Sequence, residues 1–138
     1  MYIQMEQLIN NHIKKEVKEV PNNSPENPMV SVCVQTYNQE DYIRGCLDSI
    51  LMQKTSYSYE ILIGEDESDD GTREICIEYA RKFPDHIRLF LNSRENNIPI
   101  HNKPSGIFNL FYILSQARGT YVAFCDADDY WRYPQKLE

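Results

Sequence analysis

The hydrophobic pattern predicts alternating strands and helices from residue 29 onward. Short runs rich in Val, Ile and Leu are typical of strands buried on both faces of a sheet, and four such runs occur. They span residues 29–36, 59–64, 87–91 and 120–125. Between them, apolar residues recur at three- and four-residue intervals, which predicts amphipathic helices at 42–51, 72–83 and 105–117. This alternation predicts an α/β fold in which right-handed crossovers join the parallel strands of one sheet.

The N-terminal 28 residues differ from the rest of the chain. Ile9, Ile13, Val17 and Val20 recur at helical spacing among Lys and Glu, which predicts an amphipathic helix over residues 1–20 that docks on the domain or forms a homodimer. Three Pro and three Asn in residues 21–28 predict a linker. The main domain is therefore expected to span residues 29–138.

The net charge of −7 comes mainly from two acidic clusters, and an acidic chain is a poor partner for nucleic acid. One cluster runs from Glu65 to Asp70 after the second predicted strand, and the other comprises Asp126, Asp128 and Asp129 after the fourth. Ligands of open parallel sheets bind at the carboxyl ends of the strands. We therefore expect both clusters, together with Tyr37 after the first strand, to meet at one edge of the sheet.

The Asp126-Ala-Asp128 triplet favours a divalent cation site. Two carboxylates that leave a strand together can share Mg²⁺ or Mn²⁺ with the phosphates of a substrate, because these hard cations prefer oxygen ligands. The alternative is structural: Asp128 and Asp129 would begin a turn and cap a following helix. The triplet alone does not distinguish the two.

Several other classes of site are disfavoured. The segment Asp66 to Gly71 resembles the start of an EF-hand loop, but Ile77 stands where that loop needs a bidentate Glu. Neither a Rossmann nor a P-loop glycine motif occurs, nor does a G-x-S-x-G elbow, and the three His lie in no motif. The four Cys are expected to be buried free thiols. No apolar run of membrane-spanning length and no signal peptide is present. We therefore expect a cytoplasmic protein, with peripheral binding to the inner face of the membrane as an alternative.

Three sequence blocks carry the most specific signal in the chain. The blocks are Val30-Ser-Val-Cys-Val-Gln-Thr-Tyr-Asn38, Glu60-Ile-Leu-Ile-Gly-Glu-Asp-Glu-Ser-Asp-Asp-Gly-Thr72 and Ala117-Arg-Gly-Thr-Tyr-Val-Ala-Phe-Cys-Asp-Ala-Asp-Asp-Tyr-Trp131. Together they resemble the nucleotide-sugar half of the family 2 glycosyltransferases of GT-A fold. Their order and spacing match from about residue 29 to residue 138. The resemblance implies a Rossmann-like parallel sheet flanked by helices that is truncated, in this chain, after the D-x-D strand.

The resemblance also implies roles for individual residues. Tyr37 would pack on the nucleotide base, Asp66 would accept a hydrogen bond from the imino N–H of the base, and Asp126 and Asp128 would hold Mn²⁺ or Mg²⁺ and the sugar diphosphate. Further nucleotide contacts are expected from Thr36, Asn38, Glu40, Ser68, Asn109 and Ala127. Departures from the family pattern are Gln35 for a small hydroxyl residue, Glu67 for a frequent Gly, and Asn109 in place of an Arg that often touches the donor.

The implied function is sugar transfer, with inversion, from a nucleoside diphosphate donor, with UDP the first expectation, to a hydroxyl group. A saccharide or lipid-linked saccharide in bacterial-type polysaccharide or glycoconjugate synthesis would be the acceptor. The catalytic base is expected beyond Glu138, so the chain is interpreted as a donor-binding fragment without activity of its own. One alternative is a nucleotide-binding module without catalysis. The other is a nucleotidyltransferase, which would need a basic, Gly-rich loop where this chain has Tyr37-Asn-Gln-Glu-Asp41.

Overall fold

A computed structural model describes residues 2–138 and shows one sheet with helices on both faces. In chain order the elements are α1 (Tyr2–His12), β1 (Lys18–Glu19), β2 (Val30–Thr36), α2 (Ile43–Leu51), β3 (Tyr59–Glu65), α3 (Thr72–Lys82), β4 (Ile87–Leu91), α4 (Ile107–Gln116) and β5 (Tyr121–Phe124). A short 3-10 turn, Arg94–Asn96, follows β4. The four strands and three helices predicted after residue 29 are therefore confirmed.

The strand order is β1-β4-β3-β2-β5. The four strands from β2 to β5 are mutually parallel, as the alternating pattern predicts, whereas β1 pairs antiparallel with β4. The strands β3 and β4 lie on one side of β2 and β5 lies on the other. The direction of winding therefore reverses between β2 and β5, which is where open α/β sheets form a binding crevice.

The core consists of two apolar layers, one on each face of the sheet. Ile61 and Ile63 of β3 pack in the layer that includes α2 and α3, whereas Leu62 packs on the opposite face with α4 and α1. All three side chains are fully buried. Burial on both faces explains why these strands are continuous apolar runs rather than alternating ones.

The predicted helix over residues 1–20 is wrong beyond His12, where α1 ends. The side-chain oxygen of Asn96 accepts hydrogen bonds from the backbone N–H groups of Lys14 and Lys15 at 2.7 and 2.9 Å, which draws the chain onto the sheet as β1. Ile9 of α1 is buried in the α4-side layer and so is already covered within the chain. A homodimer through this helix would have to use its outer surface and stays a prediction.

The N-terminal segment is tied to the sheet by a buried charge network. Arg88 of β4, with a side chain 3% exposed, pairs with Glu60 of β3 at 3.2 Å and with Glu19 of β1 at 2.8 Å. Residues 21–28 contain no helix or strand, and the N–H of Asn23 donates to the carbonyl oxygen of Pro84 at 2.8 Å. The segment before β2 thus forms part of the folded unit.

Gly119 has a different role from the one its sequence position suggests. A Gly after a helix often adopts a left-handed conformation, but no glycine in residues 2–138 has a positive φ. Instead, a Cβ atom at Gly119 would lie 2.5 Å from the backbone nitrogen of Ser31. Gly is required here because the turn between α4 and β5 approaches the β2 backbone closely.

The strand β5 forms an edge of the sheet, and its side chains are largely exposed, as in Tyr121 (65%) and Phe124 (54%). The segment after β5 returns to the end of α2, where Trp131 is buried and its backbone N–H donates to the hydroxyl of Ser49 at 2.9 Å. Between residues 2 and 138, no helix has both the length and the apolar character needed to cross a membrane.

Candidate functional site

The register of β2 and β3 brings Tyr37 and Asp66 together. Thr36 is paired with Glu65 at the ends of these strands, so the next residue of each strand leaves the sheet beside the other. The N–H of Asp66 donates to the carbonyl oxygen of Thr36 at 3.1 Å, which extends the pairing by one step. An aromatic ring and a buried carboxylate therefore stand side by side at the carboxyl edge.

The loops after β2 and β3 are joined by reciprocal hydrogen bonds. The N–H of Asn38 donates to the hydroxyl of Ser68 at 3.0 Å, and the N–H of Asp69 donates to the side-chain oxygen of Asn38 at 2.8 Å. Glu40 accepts from the N–H of Gly71 at 2.7 Å. Asn38 has φ 49°, a left-handed conformation that Asn tolerates better than most residues. These contacts hold the two loops in one arrangement.

A cleft of about 320 Å³ opens between the ends of β2, β3 and β5 and the start of α4. Its walls include seven of the residues predicted from the sequence to bind nucleotide or metal. These are Thr36, Tyr37, Asp66, Asn109, Asp126, Ala127 and Asp128. Asn38, Glu40 and Ser68, which were predicted to contact the nucleotide, do not line the cleft, because their polar atoms connect the two loops instead.

Asp66 is buried at 2% exposure, yet three side-chain donors surround its carboxylate. Asn92 and Asn97 donate at 3.1 and 3.2 Å, and the guanidinium of Arg94 donates at 3.3 Å. Burial raises the pKa of Asp66 to about 6, although the Asn97 hydrogen bond and the Arg94 charge oppose that rise. The carboxylate is thus ionised at neutral pH and retains acceptor capacity in the cleft.

Glu65, the last residue of β3, serves the fold. Its side chain is fully buried and forms an ion pair with Arg73 of α3. Its other oxygen accepts from the N–H of Ser68 at 2.9 Å. The carboxylate therefore fixes the loop that follows β3, and it is not among the residues that line the cleft.

Glu67 explains one departure from the family pattern. It adopts φ 58°, the left-handed conformation for which Gly is favoured. One oxygen of its carboxylate accepts from the hydroxyl of Ser93 at 3.0 Å and from the N–H of Arg94 at 2.7 Å. The backbone hydrogen bond from Arg94 lowers the pKa of Glu67. The Glu67 side chain thus holds the start of the 3-10 turn beside the cleft, and these contacts offset the strain of its left-handed backbone angle.

The second acidic cluster is a compact group at the end of β5. Carboxylate oxygens of Asp126, Asp128 and Asp129 lie within 4.8 Å of one another, and all three side chains are exposed. The N–H of Asp129 donates to the carbonyl oxygen of Asp126 at 2.8 Å, so the predicted turn is present. No helix begins after this turn within the described residues. An all-oxygen, closely spaced donor set fits a hard divalent cation such as Mg²⁺ or Mn²⁺.

Asn109 connects α4 to the sheet. Its side-chain amide donates to the carbonyl oxygen of Gly64 at 2.8 Å, and the residue is 2% exposed. A Cβ atom at Gly64 would lie 2.5 Å from the Asn109 side-chain oxygen, so a Gly at this point of β3 allows the contact. Asn109 forms part of the cleft wall, with its amide N–H₂ bound to the backbone of β3.

Four residues beside the cleft were not predicted as site residues. Gln35, Gln39 and Gly106 line its wall. Arg94 contacts the site from the turn after β4, with its guanidinium 3.7 Å from the centre of the Tyr37 ring. The side chain of Gln35 and the backbone of Gly106 are close neighbours, since a Cβ at Gly106 would lie 3.1 Å from the Gln35 oxygen.

The comparison with known families agrees with this geometry. The sequence model described as "Glycosyl transferase family 2" matches residues 31–138, which is most of the chain. The chain belongs to glycosyltransferase family 2. The Rossmann-like GT-A fold and the family expected from the three sequence blocks are thereby confirmed.

Individual relatives of the chain cover the same region. An uncharacterized protein of Mycobacterium tuberculosis is 42% identical over 108 residues, which is 78% of this chain and 29% of that protein. TuaG of Bacillus subtilis, a glycosyltransferase assigned to teichuronic acid biosynthesis, is 37% identical over 112 residues, or 80% of this chain and 40% of TuaG. The chain therefore spans less than half the length of these relatives.

Two solved structures resemble the chain in three dimensions. TarS of S. aureus in complex with UDP gives a TM-score of 0.61 at 29% identity, covering 78% of this chain and 29% of the TarS chain. The mannosyltransferase PcManGT of Pyrobaculum calidifontis, in complex with GDP-Man and Mn²⁺, gives a TM-score of 0.63 at 27% identity. That match covers 99% of this chain and 36% of PcManGT.

Proposed function

We propose that this chain binds a nucleoside diphosphate sugar in the cleft and forms the donor half of an inverting glycosyltransferase. One observation carries the proposal: an aromatic ring with a buried carboxylate, and two of the three clustered carboxylates, line the same cleft although they lie far apart in the sequence. The ring and the buried carboxylate suit a nucleobase, and the clustered carboxylates suit a cation with bound phosphates. A nucleoside diphosphate carries its base at one end and its phosphates at the other.

The base end of the proposed site rests on Tyr37 and Asp66. The Tyr37 ring offers an aromatic face on which a base can stack. The ionised carboxylate of Asp66 is an acceptor only, so it favours a base with an N–H on its pairing edge, as in uracil or guanine. The UDP complex of TarS and the GDP-Man complex of PcManGT support a base of this class. We propose UDP as the first donor nucleotide to test.

The phosphate end rests on Asp126, Asp128 and Asp129. These residues would hold Mn²⁺ or Mg²⁺, and the PcManGT complex with Mn²⁺ supports that choice. A bound cation would offset the negative charge that develops on the departing diphosphate. Ala127, which stands between Asp126 and Asp128 in the sequence and is 1% exposed, places only a methyl side chain between these two carboxylates at the cleft.

The transfer itself is proposed for a longer protein of which this chain is the donor part. An acceptor hydroxyl would attack the anomeric carbon opposite the diphosphate, which inverts the configuration there, and a carboxylate beyond Glu138 would accept the hydroxyl proton. The assignment of TuaG to teichuronic acid biosynthesis supports a saccharide or lipid-linked saccharide acceptor and a role in polysaccharide synthesis. We further propose that the enzyme acts in the cytoplasm, at the inner face of the membrane when its acceptor is lipid-linked.

Calorimetric titration of the 138-residue chain with UDP, with and without Mn²⁺, tests the proposed donor site. We expect UDP binding that strengthens at least tenfold with Mn²⁺, and we expect Asp128→Ala to remove that gain because it deletes one metal ligand. Asp85→Ala, which removes a carboxylate outside the cleft, is the matched control and should leave the gain intact. Equal binding with and without Mn²⁺, or no binding by folded protein, would contradict the proposal.

A further inference from the structure

Arg94 contacts both residues of the proposed base end, although it lies on neither of their loops. Its guanidinium lies over the Tyr37 ring, 3.7 Å from the ring centre, and one guanidinium nitrogen is 3.3 Å from the Asp66 carboxylate. The Arg94 side chain is 29% exposed, whereas that of Asp66 is 3% exposed. A single cation thus makes a stacking contact and a charged hydrogen bond at once.

The backbone around Arg94 is held independently of those two contacts. The N–H of Arg94 donates to the Glu67 carboxylate at 2.7 Å, and the hydroxyl of Ser93 donates to the same oxygen at 3.0 Å. Arg94 is also the first residue of the 3-10 turn that ends at Asn96. The guanidinium is therefore presented from a fixed turn, and it does not line the cleft itself.

We propose that Arg94 is a positioning residue for nucleotide binding: its guanidinium fixes the Tyr37 ring and the Asp66 carboxylate in the arrangement that receives the base. This assignment rests on the proposed function of the cleft. Because the guanidinium does not line the cleft, it acts through its two neighbours and leaves the cleft side of the site to the ligand. Arg is suited to the task since its planar group can stack and donate at the same time.

Among the described residues, Arg94 is the one cationic hydrogen-bond partner of Asp66. Burial raises the pKa of Asp66, and the nearby Glu65 charge adds to the rise. Asn97 and Asn92 oppose it as neutral donors. The cation nearest to Glu65 is Arg73, which pairs with Glu65 rather than with Asp66. Removing the charge of Arg94 should therefore raise the pKa of Asp66 further.

The test compares UDP affinity, with Mn²⁺ present, at pH 6, 7 and 8 in the wild type, Arg94→Gln and Arg94→Lys. We expect Arg94→Gln to bind UDP more weakly than the wild type does. This deficit, the ratio of the variant's dissociation constant to that of the wild type, should fall by about fivefold between pH 6 and pH 8, because higher pH restores the ionised Asp66. In Arg94→Lys the charge remains but the planar stacking group is lost. Its deficit should therefore be smaller than that of Arg94→Gln at pH 6 and should change little with pH.

A matched control is Arg44→Gln, because Arg44 also combines a carboxylate partner, Glu78 at 2.9 Å, with a nearby ring, Tyr79 at 5.8 Å. It lies on α2 outside the cleft, so the variant should bind UDP as the wild type does. Wild-type affinity in Arg94→Gln, or a deficit of the same size at every pH, would overturn the positioning role. Failure of the wild type to bind UDP would instead overturn the proposed function, and the Arg94 assignment with it.

Discussion

The stability of Asp66→Asn relative to the wild type should rise as the pH rises. Asp66 is 2% exposed, and its pKa is raised from 3.8 to about 6 by burial. The folded chain therefore holds this proton more tightly than the unfolded chain does. The stability that Asp66 contributes is full below about pH 3.8 and is lost as the pH rises through about 6. Ionisation of this carboxyl group at pH 8 then costs the folded state about 3 kcal/mol.

The measurement is urea denaturation of the wild type and Asp66→Asn between pH 5 and pH 8. About half of the 3 kcal/mol already applies at pH 5, so the stability of the variant relative to the wild type should rise by about 1.5 kcal/mol across this range. Altered hydrogen bonds to Asn92, Asn97 and Arg94 would shift the whole curve without reversing its slope. Asp41→Asn, at an exposed loop carboxyl group, is the control. A stability difference that stays constant or falls with pH would refute the reasoning.

Two further pairs of substitutions test the backbone arrangement. Gly119→Ala should destabilise the chain by more than about 2 kcal/mol, because the new methyl group would lie 2.5 Å from the backbone of Ser31. Its control, Gly45→Ala, would place the methyl group where no atom lies within 4 Å, and it should be neutral or stabilising by up to about 1 kcal/mol. Glu67→Ala should lower the stability by about 1 kcal/mol, because Ser93 and Arg94 lose their acceptor. Glu67→Gly loses the same acceptor but should be more stable than Glu67→Ala by about that amount, because Gly adopts φ 58° without strain. Urea midpoints of the four variants measure both effects, and equal midpoints within either pair would contradict them.

The sequence predicts the sheet well because its strands are buried on both faces. Val32 of β2 and Ile61 of β3 are fully buried, so the selection for apolar side chains is visible without any tertiary information. The meeting of Tyr37 and Asp66 follows from the parallel pairing alone, since their strands end in register. The position of the acidic cluster at this edge is predicted in the same way, because β5 is a parallel neighbour of β2.

The parts that the sequence does not predict depend on contacts between distant segments. The strand β1 has two residues, too few to show a period, and the chain reaches it because Asn96 binds the backbone of Lys14 and Lys15. Arg94 lies in a loop without periodicity, and it meets Tyr37 across 57 positions of sequence. Arg94 could be found only from the folded arrangement of the turn after β4.

The most direct test of the donor site is paramagnetic broadening by Mn²⁺ in the amide NMR spectrum of the chain with UDP bound. If the three carboxylates hold the cation beside the diphosphate, signals of residues 126–129 and of Gly106, which also lines the cleft, should broaden first. Signals around Arg44 on α2, outside the cleft, should persist. Broadening that begins elsewhere, or that leaves residues 126–129 unaffected, would contradict the proposed site.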